Sequence, residues 1–233
     1  MNRTALALLL TLTAVPVFAQ GLPHPKHIVL VIMENKAYED VIDNDPATPV
    51  RSSRAPYLNR LAREGALLTH SYGLHHPSQP NYLELFSGST HGICNDHPPR
   101  AFSIDAANLA MSLGMGFVGF AENLPTDLTT PKQGVVYVRR HCAWLAFSGI
   151  TADQSSDFST FPKTAEGFTT LPAVAIVIPN LYDDMHTTRR FIRHFDRHDI
   201  AAEVHQGDKW LEDHLGAYAT WAMTNNSLLI VTC

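Results

Sequence analysis

The sequence predicts a three-layer α/β/α sandwich on a mainly parallel central sheet. Several continuous apolar runs rich in β-branched residues read as strands covered on both faces, and segments of helical period separate them. A length of 233 residues with 45% hydrophobic side chains supplies enough apolar surface for one sizeable core.

The first run is HIVLVIM, residues 27 to 33, with Glu34 and Asn35 where it ends. A loop containing Asp43, Asn44, Asp45 and Pro46 leads to APYLNRLAREG, an amphipathic helix closed by Gly65. The stretch HHPSQPNYLELFSG, residues 75 to 88, predicts a helix near Ser78, because Pro80 suits a first turn and Gly88 a stop. IDAANLAMSLG reads as a helix and MGFVGFAE as a buried strand ending at Glu122. Residues 123 to 168 carry most of the loop signals around the apolar island VVYVRRHCAWLAF, so a cap or lid is expected there. LPAVAIVIPN supplies a strand ending at Asn180, GDKWLEDHLGAYATWAM a long helix, and NNSLLIVTC one more strand.

Residues 1 to 19 combine Arg3, an apolar run and the small-residue spacing Val17-x-Ala19, the pattern of a cleaved secretory signal peptide. The remaining chain, residues 20 to 233, is expected to be secreted or periplasmic and to have no stable membrane span. The net charge of −5 becomes −6 when Arg3 leaves, which gives no broad basic surface for nucleic acid. In an oxidising compartment Cys94 and Cys142 could pair, leaving Cys233 over.

Polar residues just past strand ends face the ligand crevice in such folds, which singles out Glu34, Asn35, Glu122 and Asn180. Ser78 at a helix start is either an N-cap or a nucleophile favoured by the helix dipole, which also favours an anionic phosphate. No GxSxG motif surrounds it, so a hydrolase triad is not indicated. Glu34 and Asn35 offer adjacent oxygen ligands for a divalent cation, or ordinary loop hydrogen bonds. His75 and His76 are adjacent, and in an extended chain at most one faces Ser78. Arg139 and Arg140, ahead of His141, form either a phosphoryl-oxygen site or a solvated face. The acids Asp183 and Asp184, with His186, suit metal binding, acid–base chemistry or a plain turn.

Six segments, HIVLVIMENKAY, APYLNRLAREG, HHPSQPNYLELFSG, YVRRHCAWLAF, PNLYDDMH and GDKWLEDHL, together resemble the bacterial acid phosphatase and phospholipase C type phosphoesterases of alkaline-phosphatase-like architecture. The resemblance runs in order from about residue 26 to the last residue. It implies that Glu34 and Asn35, with Ser78, hold one divalent metal ion of unspecified identity and that Ser78 is the phosphoryl-accepting nucleophile. His141, Asp184 and His186 then surround the phosphate or its leaving group. The implied substrate is a phosphate monoester, with phosphatidylinositol 3-phosphate among the candidates. The alternatives are a phospholipase C-like phosphodiesterase and a catalytically impaired secreted protein that binds phosphate or phospholipid. One departure stands out. The family strand resembling LLIVT normally leads into an acidic segment that completes the metal site, whereas here Cys233 follows, so the resemblance implies a C-terminally incomplete fold with weak activity.

Overall fold

The computed structural model describes residues 24–43, 54–188 and 199–233. The signal-peptide segment and the Asn44–Asp45–Pro46 loop lie outside the described residues. Five strands form the central sheet: β1 (His27–Ile32), β2 (Phe117–Ala121), β3 (Ser155–Asp157), β4 (Val174–Ile178) and β5 (Ser227–Thr232). Their order is β3-β2-β4-β1-β5 and every pairing is parallel. Three helices matter most for the site: α1 (Pro56–Glu64), α2 (Ser78–Ser87) and α3 (Ile200–Ala222).

Because side chains alternate across a strand, each apolar run feeds two cores. Val29, Val31 and Met33 join Ala175 and Val177 beneath α1 and α3, where Trp210, Leu211, Leu215 and Tyr218 are buried. Ile32, Ile176 and Ile178 face the other way, onto Tyr82, Leu83 and Phe86 of α2. This is the expected three-layer arrangement. A covered sheet of this kind needs apolar residues on both faces of its strands, which is why the runs show no polar alternation.

Two glycines fix close approaches. A Cβ on Gly119 of β2 would lie 2.3 Å from the Trp144 indole, so only glycine lets that ring lie flat on the strand. A Cβ on Gly207 of α3 would lie 2.5 Å from Met185 Cγ and 3.0 Å from the Asp183 carbonyl oxygen. Gly207 thereby seats the chain segment that follows β4 against the helix.

Several expectations change in detail. The helix read over IDAANLAMSLG shortens to Leu109–Leu113. Asn108 caps it by accepting from Met111 N at 3.0 Å, while Phe102, Ser103 and Ile104 donate their N–H groups to Leu145 and Ala146 instead. Residues 123 to 168 contribute the edge strand β3 and the buried Trp144, Leu145, Phe147, Phe158 and Phe161. Cys94 and Cys142 do not form a pair: Cys94 is exposed and Cys142 is buried, both as free thiols. Burial holds the Cys142 thiol at a pKa of about 12. The outer edge strand β5 leaves Leu228 and Ile230 exposed. Among the described residues no helix is long and apolar enough to cross a membrane.

Candidate active site at the carboxyl ends of the strands

The chain leaves β1 directly into the site. Met33 N donates to the Thr232 carbonyl and Glu34 N to the Asp184 carbonyl at 2.7 Å, so the exits of β1 and β4 are stitched together. Glu34 is 5% exposed. Asn35 next to it takes a left-handed φ of 55° and is exposed, a conformation asparagine tolerates better than most residues. Asn35 makes no side-chain hydrogen bond to the Glu34 group among the described residues. Lys36 turns back and pairs with Glu203 of α3 at 3.0 Å, both side chains being buried.

Ser78 opens α2 and is half-buried. It is not the cap. Pro77 occupies the N-cap position, and the next free N–H, that of Gln79, donates to Asp96 Oδ1 at 3.0 Å. The hydroxyl is therefore left for another partner, and it lies near enough to the Glu34 carboxylate to lower its pKa. His75 is turned away, with Nε2 2.6 Å from Glu84.

The third wall comes from the turn Arg139–His141 and the segment after β4. His141 is 1% exposed and stacks on Tyr82 of α2, with ring centroids 4.9 Å apart. Its Nε2 lies 3.6 Å from Glu34 Oε1 and its Nδ1 3.7 Å from Asp184 Oδ2, distances too long for hydrogen bonds. Asp184 is fully buried, and its Oδ1 accepts from His186 N at 2.8 Å. Met185 between them has a φ of 75°, a strained position for a non-glycine residue that aims both neighbours inward. The His186 ring is 6.4 Å from that of His141. Ser78, Glu34, His141, Asp184 and His186 thus lie around one location past the carboxyl ends of β1 and β4.

Asp183 faces elsewhere. It accepts from Gln206 Nε2 at 2.9 Å and from Asn180 Nδ2 at 2.8 Å, and Glu122 Oε2 accepts from Asn180 N at 3.0 Å. Glu122, Asn180 and Asp183 therefore brace the β4 exit. Tyr82, which orients His141, carried no sequence signal, since its role depends on a stack across distant parts of the chain. The DDMH turn gave Asp184 but not Gly207, which makes room for it.

The electrostatics are those of a group of buried acids. Burial raises the Glu34 pKa, opposed first by the Ser78 hydrogen bond and then by the Arg140 charge. Burial also raises that of Asp184 well above normal, against its hydrogen bond from His186 N, and the Glu34 charge pushes it further. Burial holds His141 well below its usual value, with Arg140 and His186 adding to the effect. His141 Nε2 and Asp184 Oδ2 have no hydrogen-bond partner among the described residues. Such orphaned atoms are costly unless something satisfies them. No three His, Cys, Asp or Glu side chains among the described residues are arranged as a metal-holding cluster. Even so, two buried carboxylates facing one unsatisfied imidazole fit a divalent cation in chemical character.

Residues 50–233 match the model of the phosphoesterase family. The chain is 38% identical over 216 residues to a phosphatidylinositol-3-phosphatase of Mycobacterium tuberculosis, covering 92% of this chain and 64% of that protein. It is 32% identical over 148 residues to a phosphate-repressible acid phosphatase of Penicillium chrysogenum, covering 56% of this chain and 34% of that one. An acid phosphatase of Aspergillus fumigatus is 28% identical over 177 residues, 68% of this chain and 36% of its own. The chain thus spans less than two thirds of the length of these relatives. No solved structure matches. With a half-buried serine at a helix start near a buried carboxylate at the exit of β1, and a match over most of its length, the chain belongs to the phosphoesterase family.

Proposed function

We propose that the protein hydrolyses phosphate monoesters through Ser78. The observation that carries this reading is the Ser78 hydroxyl at the N-terminus of α2, free of capping duty and close to the buried Glu34 carboxylate. The dipole of that helix end favours an anionic phosphoryl group beside the hydroxyl. Ser78 Oγ attacks phosphorus, the bond from phosphorus to the ester oxygen breaks, and the Ser78 proton passes to Glu34. The departing alkoxide takes a proton from the His141, His186 and Asp184 side of the site. Water then attacks the phosphoserine, passing a proton to the side of the site that protonated the leaving group. The bond from phosphorus to Ser78 Oγ breaks and Glu34 returns its proton to Oγ, so that inorganic phosphate leaves and the hydroxyl is restored.

Glu34 and Asp184, with the unsatisfied His141, are the residues that would hold a divalent cation, and Asn35 joins them only by turning its side chain inward. Such an ion supplies positive charge to offset that of the phosphoryl oxygens. The names of the relatives support a phosphomonoester over a phosphodiester, and the first of them supports a phosphoinositide headgroup. The signal-like residues 1 to 19 support export, which sequencing the N-terminus of secreted protein tests.

Turnover of p-nitrophenyl phosphate against its bis ester tests the reading. The expected result is preference for the monoester and a loss of at least about 10³-fold in Ser78→Ala, the order seen when a covalent nucleophile is removed. Preferential diester turnover, or undiminished activity in Ser78→Ala, overturns it.

A further inference from the structure

The two arginines that precede His141 point to different duties. Arg139 is 6% exposed and donates through Nη2 to the Pro99 carbonyl at 2.8 Å, so it holds the 95 to 100 loop. Arg140 is partly exposed, and it pairs with Asp96, whose other oxygen accepts from the N–H of Gln79, the residue after Ser78, so the guanidinium lies near the start of α2. Its Nε is 3.5 Å from Asp96 Oδ2, at ion-pair range but without a hydrogen bond. An arginine held near an acid yet short of hydrogen bonds keeps its planar fork available for a bidentate anion.

Asp96 has a second task. Its other oxygen accepts from Gln79 N, and the buried Gln79 side chain donates to the carbonyls of Asn95 and His97, each at 2.9 Å. The residue after Ser78 is thereby locked to the loop that carries Asp96. One carboxylate sets the start of α2 and the position of Arg140 relative to each other.

Resting on the phosphomonoesterase reading, we propose that Arg140 binds the phosphoryl oxygens and that Asp96 is a positioning residue coupling Arg140 to the helix end bearing Ser78. When a phosphoryl group sits against Ser78, the fork of Arg140 leaves its loose pairing and donates to two of the oxygens. Asp96 keeps the guanidinium from swinging toward Glu34, which would otherwise attract it.

The test uses the full chain with inorganic phosphate as probe, measured by calorimetry, alongside p-nitrophenyl phosphate kinetics. Arg140→Ala is expected to weaken phosphate binding and raise KM by about 10- to 100-fold, the worth of charge-assisted hydrogen bonds. Free guanidinium ion should restore part of the lost rate. Arg139→Gln should lower the melting temperature, weaken phosphate binding less than Arg140→Ala does, and show no rescue by guanidinium. Asp96→Asn, which retains an acceptor for Gln79 N, should raise KM more than it lowers kcat, whereas Asp96→Ala should affect both. Phosphate binding undiminished in Arg140→Ala, or no rescue by guanidinium, overturns the inference and leaves the Ser78 reading standing. Wild-type protein that neither binds phosphate nor turns over the ester overturns both.

Discussion

Replacing Asp184 by asparagine separates the chemistry of the buried acid from its effect on stability. Burial and the charge of Glu34 raise its folded pKa above the ordinary 3.8, so between the two values the native state holds a proton that the unfolded chain has released. Stability falls as pH rises through that window, because the native state binds more protons. Asparagine keeps an oxygen for His186 N and carries no charge. With divalent ions chelated, Asp184→Asn should therefore melt above wild type at neutral pH, and the difference should vanish as pH falls toward 4, while ester hydrolysis is lost. A variant that melts below wild type at every pH would show that the carboxylate is already compensated. Among single residues, the placement of Ser78 at a helix start and of Glu34 past a strand end was legible because those signals are local, whereas the role given to each came from the resemblance. Arg140 could not be told from Arg139, because adjacent residues in a tight turn diverge and only their distant partners distinguish them. Asp96 and Tyr82 were illegible for the same reason.

At the scale of elements, the site depends on how closely α3 approaches the segment after β4. Gly207→Ala forces a methyl against Met185, Met33 and the Asp183 carbonyl, and a backbone oxygen cannot move aside alone. The expected cost is about 1–3 kcal/mol from overpacking, with activity falling further as Asp184 and His186 shift. Gly216 of the same helix is the control, since its Cβ would meet only Tyr57 OH, at 3.8 Å. Gly216→Ala should stabilise by up to about 1 kcal/mol on helix propensity and leave activity unchanged. Equal melting shifts in both variants would remove the special role of Gly207. Strands and long helices were readable because two-faced burial and helical period are written in short windows. The shortened 109–113 helix was not, since the residues before it are captured by the backbone of a remote segment. Nor was the position of β3, a three-residue strand, SSD, with no apolar run to announce it.

For the whole molecule, a divalent cation held by the buried acids would link folding to cation binding. A divalent ion that binds only the native state stabilises it by about 2.7 kcal/mol at one hundred times its dissociation constant. Titrating EDTA-treated protein with Mg²⁺, Mn²⁺, Ca²⁺ or Zn²⁺ should raise the melting temperature for at least one ion, and Glu34→Gln should abolish that rise. No shift with any of them would remove the cation from the account and leave the orphaned His141 and Asp184 atoms to water. If Ser78 at the helix end takes the phosphoryl group, turnover passes through a phosphoserine. Acid quenching during turnover of a phosphate monoester, followed by peptide mass spectrometry, tests it most directly. One added phosphoryl group is expected on the peptide containing Ser78 and none in Ser78→Ala; turnover with no adduct there, or with an adduct on a histidine, would rule out Ser78 as the nucleophile.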